Sequence, residues 1–461
     1  MPDLDDTATP SATERTTTIR AITEVDYALD VFVPASALEP LVTEALKKQR
    51  SQMSLKGFRP GKVPLSLVRK MVGPQLAVDI AEQVIGDAYR EAVAEPAELD
   101  VLGQPRLAEL VFDAEDAAAD LTAVVSFGVR PTVVLADMAG VSVTRLVRTF
   151  TEDDVDADIQ RRRDLAATEE DAPEGTALGT EHTAVVDITP VDADGERTGV
   201  TQEGARLVLG NPDLRPEMLA ALTGKTAGET VRVELPHLHG SDEEETDHEE
   251  HTDRYDVAVA EVKLRVVPEL DDEFAREQTG GKAETVDALR TEVLGELQRS
   301  WDQRSKQALE ARLADQFVDA HAHVPVPVSL TDAALDAMLE EMRQRNRGDF
   351  PPTFDEAAFR DQNRERGEAQ VRWLLVKEAL VREEGLAVGD DALDAEFARL
   401  AGQGGDAEMV RQYLQQQPQM LDQMTDHLLN QRVFAALESR FTVVDKTRED
   451  LEREKAERGE G

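Results

Sequence analysis

A multidomain α+β chain is predicted: an α+β domain first, a small, mostly β domain in the middle, and an extended all-α domain at the C-terminus. Three observations predict it. Alternating β-rich segments and amphipathic helical stretches share the first 125 residues. Short strands separated by glycine turns fill residues 180–267. From Pro268 to Phe441 apolar residues recur with a period near 3.6.

The elements follow in chain order. Residues 1–17 read as a disordered tail. The first domain covers 18–125, with a strand pair over Thr18–Val33 and a helix over Ala35–Leu55 whose Leu38, Leu41, Val42, Ala45 and Leu46 share a face. A Gly/Pro-bounded loop follows, then a helix over Leu65–Val93 and returning strands at Leu107–Phe112 and Leu121–Phe127. Residues 126–155 read as an extended connector ending in the helix-start signal Thr151-Glu152-Asp153-Asp154. The middle domain, 156–267, carries strands at Thr183–Ile188, Ala205–Leu209, Thr230–Leu235 and Tyr255–Val266. Its insertion from Ser241 to Asp253 holds eight acids, which excludes it from any core. The helical domain, 268–441, contains helices over Val286–Ala322, Thr331–Asn346, Asp355–Glu384, Asp390–Leu400, Ala407–Gln416 and Met420–Arg440. The tail, 442–461, is charged and expected to fray.

Composition narrows the function classes. With 461 residues the chain has room for two to four domains with their own cores. Aromatics make up only 4% and charged residues 31%, which points to much exposed surface. The absence of cysteine excludes disulfides, thiolate metal sites and cysteine nucleophiles. Met1–Thr18 is polar, threonine-rich and acidic, unlike a signal or transit peptide. No stretch approaches 18 consecutive apolar residues, so no membrane partner is expected and the expected location is cytoplasmic.

The sharpest feature is electrostatic. Between Glu44 and Asp79 there is no acidic residue, where the average density would place about seven. Eight basic residues stand there instead: Lys47, Lys48, Arg50, Lys56, Arg59, Lys62, Arg69 and Lys70. The whole chain carries −43, so the rest carries −51. A positive island on a negative chain is aimed at a polyanion. At its centre Gly57-Phe58-Arg59-Pro60-Gly61-Lys62-Val63-Pro64 pairs glycine freedom with proline stiffness, which predicts a rigid tip presenting Phe58 and Arg59. The competing reading is a helix–loop–helix turn whose Phe58 caps the core. As a nucleotide loop the segment fails: it is one residue short and has Val63 where a hydroxyl must reach magnesium.

Gly57-Phe58-Arg59-x-Gly61-x-x-Pro64 between two helices resembles the ribosome-docking signature of bacterial trigger factor. Pro60 stands where that family commonly has lysine. The resemblance extends to Gln412-Tyr413-Leu414-x-x-x-Pro418-x-x-Leu421 and to His323-Val324-Pro325-Val326-Pro327. It implies an α+β ribosome-docking domain, a small FKBP-like β domain of prolyl isomerase type and a helical client-binding domain. Gly57, Phe58, Arg59, Pro60, Gly61, Lys62 and Pro64 would form the ribosome-binding residues.

Similarity to the FKBP-type fold is clearest from Gly210 to Gly224 and at Ala227-Gly228-Glu229. Where that family carries Pro-Gly-aromatic-Glu, this chain has Pro216-Glu217-Met218-Leu219, and the Asp-Phe pair of an earlier strand is Asp187-Ile188. Tyr255 is the sole aromatic between Phe150 and Phe274. A twisted imide needs a dry aromatic cradle, and Ile188, Met218 and Tyr255 make a degenerate one. No catalytic residue is assigned. His237, His239, His248 and His251 lie in or beside the acidic insertion, more consistent with a solvated loop than with a metal site; no metal or other cofactor is expected. His321 and His323, near a helix end, read as structural.

For the helical domain the expectation is a surface for unfolded nascent polypeptides, with Met338, Met342, Met409, Met420 and Met424 as adaptable contacts. The alternative is that these methionines pack helix on helix. The leading reading is an ATP-independent, ribosome-associated chaperone partnered by the ribosome near the nascent-chain exit. Self-dimerisation of the free protein stays open. Two rivals are kept: a chain that is primarily a prolyl isomerase, and a cytosolic holdase that does not use ribosomes.

Overall fold

The computed structural model describes residues 15–55, 58–59, 61–94, 99–116, 119–236, 252–346, 348, 350, 354–402 and 405–458. The first strands and helices are β1 (Thr16–Ala21), β2 (Asp26–Val33), α1 (Ala35–Gln52), α2 (Leu65–Ala94), β3 (Val101–Val111), β4 (Leu121–Val129) and β5 (Ser142–Leu146). Next come α3 (Glu152–Leu165), β6 (Thr168–Asp171), β7 (His182–Val191), β8 (Gln202–Val208), α4 (Pro216–Leu222), β9 (Thr230–Pro236) and β10 (Thr252–Val266). The rest is α5 (Asp272–Thr279), α6 (Val286–Ala320), α7 (Val328–Arg345), α8 (Glu356–Glu384), α9 (Asp390–Ala401), α10 (Ala407–Gln415), α11 (Pro418–Arg440), β11 (Thr442–Lys446) and α12 (Arg448–Arg458). Two compact units result. Of the described residues, one comprises those up to Leu146 together with those of Lys306–Lys446; the other comprises those of Val147–Ser305 and those from Thr447 onward.

In the first unit β1, β2, β4 and β3 form an antiparallel sheet in that order. Strand alternation sends Leu29, Val31 and Val33 of β2 and Leu121, Ala123, Val125 and Phe127 of β4 to one face. There they meet the apolar stripes of α1 and α2, including Leu38, Leu41, Leu46, Ile80 and Val84. The opposite face receives the start of α7. Gly128 and Gly103 lack the side chains that would collide with Pro327, Ser329 and Leu330. Around this contact Val328 N donates to Asp26 Oδ1 at 2.8 Å, and Arg106 forks onto Asp332 and Asp336 at 2.5 and 2.7 Å.

A second core of the same unit joins Leu309, Leu313 and Phe317 of α6 to Val376 and Leu380 of α8 and Val433 and Leu437 of α11, with Met138 and Val143. It corrects the reading of the tail as frayed and gives the extended connector a strand partner. Residues 142–146 and 442–446 are parallel partners, Ser142 facing Thr442 and Leu146 facing Lys446, and 448–458 are helical. Val143 is buried and Val443 packs beside it, so the tail's first segment has a core to join. Beside it His321 is fully buried and occupies a defined tautomer: Nδ1 donates to Phe317 O at 2.6 Å, and Nε2 accepts from Ala136 N at 2.9 Å.

The second unit contains the middle sheet, β6-β10-β7-β8, with β9 on β10. Its core unites Val186, Val257, Val259 and Val233 with Met218 and Leu222 of α4. A smaller cluster packs Val155 and Ile159 of α3 on Phe274, Leu289 and Val293. The start of α3 is the capping box expected at Thr151: its hydroxyl accepts from Asp154 N, and Asp154 accepts from Thr151 N at 2.9 Å.

Candidate functional site

The basic island becomes the tip and flanks of the α1–α2 hairpin. α1 ends where Met53 N turns back to Gln49 O and Arg50 O. Phe58 N then donates to Leu55 O at 3.0 Å and Lys62 N to Arg59 O at 2.9 Å, closing two short turns. Gly61 has φ +73°, the left-handed region that a side chain rarely adopts. Val63 is buried, and Pro64 O receives Leu67 N and Val68 N to start α2. The tip is thus anchored on both sides of Phe58, which is 41% exposed, and Arg59 is exposed as well. Lys56, Gly57 and Pro60 lie outside the described residues.

The eight charges are not equivalent. Arg69 forks onto Glu39 and reaches Thr43 at 3.1 Å, and this pairing holds the Glu39 carboxyl below its usual range. Arg69 therefore ties α2 to α1, and its charge is paired within the hairpin. The acid responsible stands thirty residues upstream of it. Lys48 also has a partner. Lys47, Arg50, Arg59, Lys62 and Lys70 make no ion pair with any described residue, and all but the half-buried Arg50 are exposed. Lys70 borders a cleft of about 510 Å³ between α1, α2 and the β3–β4 loop, shared with Phe112, Glu115 and Asp116.

In the middle sheet Ile188, Met218 and Tyr255 do come together, as members of one apolar cluster. Met218 is buried there, while Ile188 and Tyr255 are half-buried. Asp187 accepts from Gly204 N at 2.9 Å. Aliphatic side chains from β7, β9 and β10 fill the cluster around the single ring. His237, His239, His248 and His251 lie outside the described residues.

On the helices the methionines part company. Met409 and Met420 are 68% and 44% exposed, whereas Met338, Met342 and Met424 are half-buried. The exposed pair has company that sequence reading passed over: Leu400 at the end of α9 and Tyr413, one helical turn beyond Met409, are both exposed. The spacing of Met409 and Tyr413, with Leu414 buried, was the available signal. A second missed group is Phe350, Phe354 and Phe359 beyond α7. Phe350 and Phe354 stack at 4.3 Å, and Arg343 lies over Phe350.

These features define a class: a multidomain chain that presents a cationic hairpin tip on one compact unit and exposed apolar side chains on paired helices. The family model described as bacterial trigger factor protein (TF) matches residues 16–162, and that of the bacterial trigger factor protein (TF) C-terminus matches residues 285–438. A trigger factor of Salinibacter ruber is 36% identical over 454 residues, covering 94% of this chain and 96% of that relative. Trigger factors of Chlorobaculum tepidum and a Marinomonas species are 27% and 28% identical, covering 92% and 93% of this chain and 96% and 95% of theirs. A solved structure concerning promiscuous substrate recognition by the trigger factor chaperone covers 92% of this chain at 17% identity. Its TM-score of 0.43 is too low for its arrangement to bear on this one. The chain belongs to the bacterial trigger factor family of ribosome-associated chaperones. Among the described residues no helix is long and apolar enough to cross a membrane.

Proposed function

We propose that the α1–α2 hairpin docks this chain on the ribosome near the nascent-chain exit, and that the helical regions and the middle sheet shelter emerging polypeptide in the cytoplasm. One observation carries the docking assignment. Five cations without a described carboxylate partner gather on one hairpin of a chain whose net charge is −43. The field repels RNA elsewhere and admits it there. Arg59 at the tip suits a phosphate fork, and Phe58 suits a pocket or a stacked base. The sequence carries no ATP motif, so release rests on weak, salt-labile contacts.

Docking is expected to weaken steadily as salt rises in a cosedimentation series with ribosomes. Reversing charge at Arg59 and Lys62 should abolish it. A Phe58/Arg59/Lys62 triple-alanine variant that still cosediments like the parent chain overturns the assignment.

For the middle sheet we favour a spacer and peptide-binding surface over an efficient isomerase, because Ile188 and Met218 stand where an aromatic cradle is needed and Met218 is consumed by the core. Rapid turnover of a proline-containing tetrapeptide by the full chain, lost in Tyr255→Ala, would reverse that preference. For client contacts we favour Met409 and Met420 with Leu400 and Tyr413 over the half-buried Met338, Met342 and Met424.

A further inference from the structure

The chain holds 12 lysines and 39 arginines, yet in the island lysine outnumbers arginine, with Lys47, Lys48, Lys56, Lys62 and Lys70 against three arginines. Elsewhere lysines are held by or flanked by acids. Lys263 bonds Asp171 and Glu261 at 2.6 and 2.7 Å, which keeps its ammonium above the usual lysine range. Lys225 faces Glu229 at 3.6 Å and Lys306 faces Glu310 at 3.8 Å. Lys282 and Lys455 are exposed but sit among Glu277, Glu284, Glu454 and Glu457. Lys62 differs from all of these: it is exposed, has no described carboxylate partner, and its nearest charged residue on the N-terminal side is Arg59. Lys47, also exposed and without a described carboxylate partner, has Glu44 one turn before it but only basic residues, Lys48 and Arg50, directly after it.

We propose that Lys47 and Lys62 are modification sites for anionic acyl donors of the acyl phosphate class, and that their acylation switches docking off. The first half stands on the distribution of charge alone; the second rests on the docking assignment above. An acyl phosphate is concentrated by the positive hairpin and repelled by the acidic remainder of the chain. The uncharged amine attacks the carbonyl carbon, a C–N amide bond forms, and the acyl C–O bond to phosphate breaks. Inorganic phosphate leaves with the bonding pair, and the amine's proton passes to water. Each event deletes one positive charge from the hairpin. Arginine in these places would give the same field without a nucleophile, because the guanidinium does not shed its proton.

The test uses the full chain, acetyl phosphate and site-resolved mass spectrometry. Lys47 and Lys62 should be acetylated roughly tenfold faster than Lys225, Lys263, Lys306, Lys282 or Lys455, and salt should flatten the difference. Equal rates at low salt, or faster reaction at Lys282 or Lys455, overturn the site assignment. In a second arm, the salt slope of ribosome cosedimentation should fall by about one for each acetylated lysine. Compared with its own untreated form, a K47R/K62R variant should lose less docking on the same treatment than the parent chain does. Acetylated protein that docks like the untreated chain overturns the switch. Failure of untreated protein to dock would instead defeat the docking assignment, and the acetylation rates would still decide the sites.

Discussion

Alanine at Gly128 and at Gly86 should move stability in opposite directions. At Gly128 the added methyl carbon would lie 2.5 Å from Pro327 Cβ and 2.9 Å from Ser329 Oγ. Carbon atoms rest about 3.5–4 Å apart, so β4 and the start of α7 must part by roughly 1 Å. The proline ring has no rotamer into which to retreat. α7 is also pinned there by the Val328–Asp26 bond and by the Arg106 fork. Overpacking of this kind costs about 1–3 kcal/mol, offset by about 0.4–1 kcal/mol from the stiffer unfolded chain. A net loss of about 1–2 kcal/mol is expected. Gly86 lies inside α2, and apart from its chain neighbours and the helix's own backbone no heavy atom is within 4 Å of the new carbon. Alanine there should stabilise by about 0.5–1 kcal/mol. Thermal unfolding reads both changes as apparent shifts of about 2–4 °C per kcal/mol for a folded unit of this size. Hydrogen exchange should localise the Gly128→Ala loosening to β4 and α7. If the two variants shift in the same direction, or Gly128→Ala leaves exchange at α7 unchanged, the close-approach argument is wrong.

Burial holds the His321 imidazole below the usual histidine range, opposed by the bond to Phe317 and aided by His323 and Arg440. The unfolded chain therefore takes up the proton first. The neutral ring's contribution is complete above the unfolded value of about 6.5 and is lost as pH falls below it. Urea midpoints should drop more steeply below that pH for the parent chain than for His321→Phe. That variant should also lose about 1–3 kcal/mol by orphaning Ala136 N and Phe317 O; identical pH slopes would refute the account. Thr151→Ala removes a capping hydroxyl and should cost about 0.5–2 kcal/mol, seen as faster exchange in the first turn of α3.

Long helices were legible in the sequence because their periodicity is local. α8 was expected at Asp355–Glu384 and occupies Glu356–Glu384, and the Thr151 capping signal begins α3 as expected. What escaped was non-local. Ser142–Leu146 and Thr442–Lys446 are each five residues with no internal alternation to announce a strand, and only their pairing makes them one. α4 is a seven-residue helix opened by Pro216, too short to show a period. At the hairpin the run of basic residues was plain, yet nothing in it reveals that Arg69 turns toward Glu39. Exposure separates Met409 from Met338 only once the helices have neighbours.

The pairing of β5 with β11 sets a timetable. Arg145 and its partner Asp445 are 300 residues apart. At translation speeds of 5–20 residues per second, about 15–60 s separate the synthesis of the two strands. Throughout that interval Val143 and Met138 have no complete core to enter, because Val433, Leu437 and Phe441 arrive last. A protein that tends unfinished chains thus spends most of its own birth as one, and a ribosome stalled before Thr442 would release a first unit lacking its closing strand.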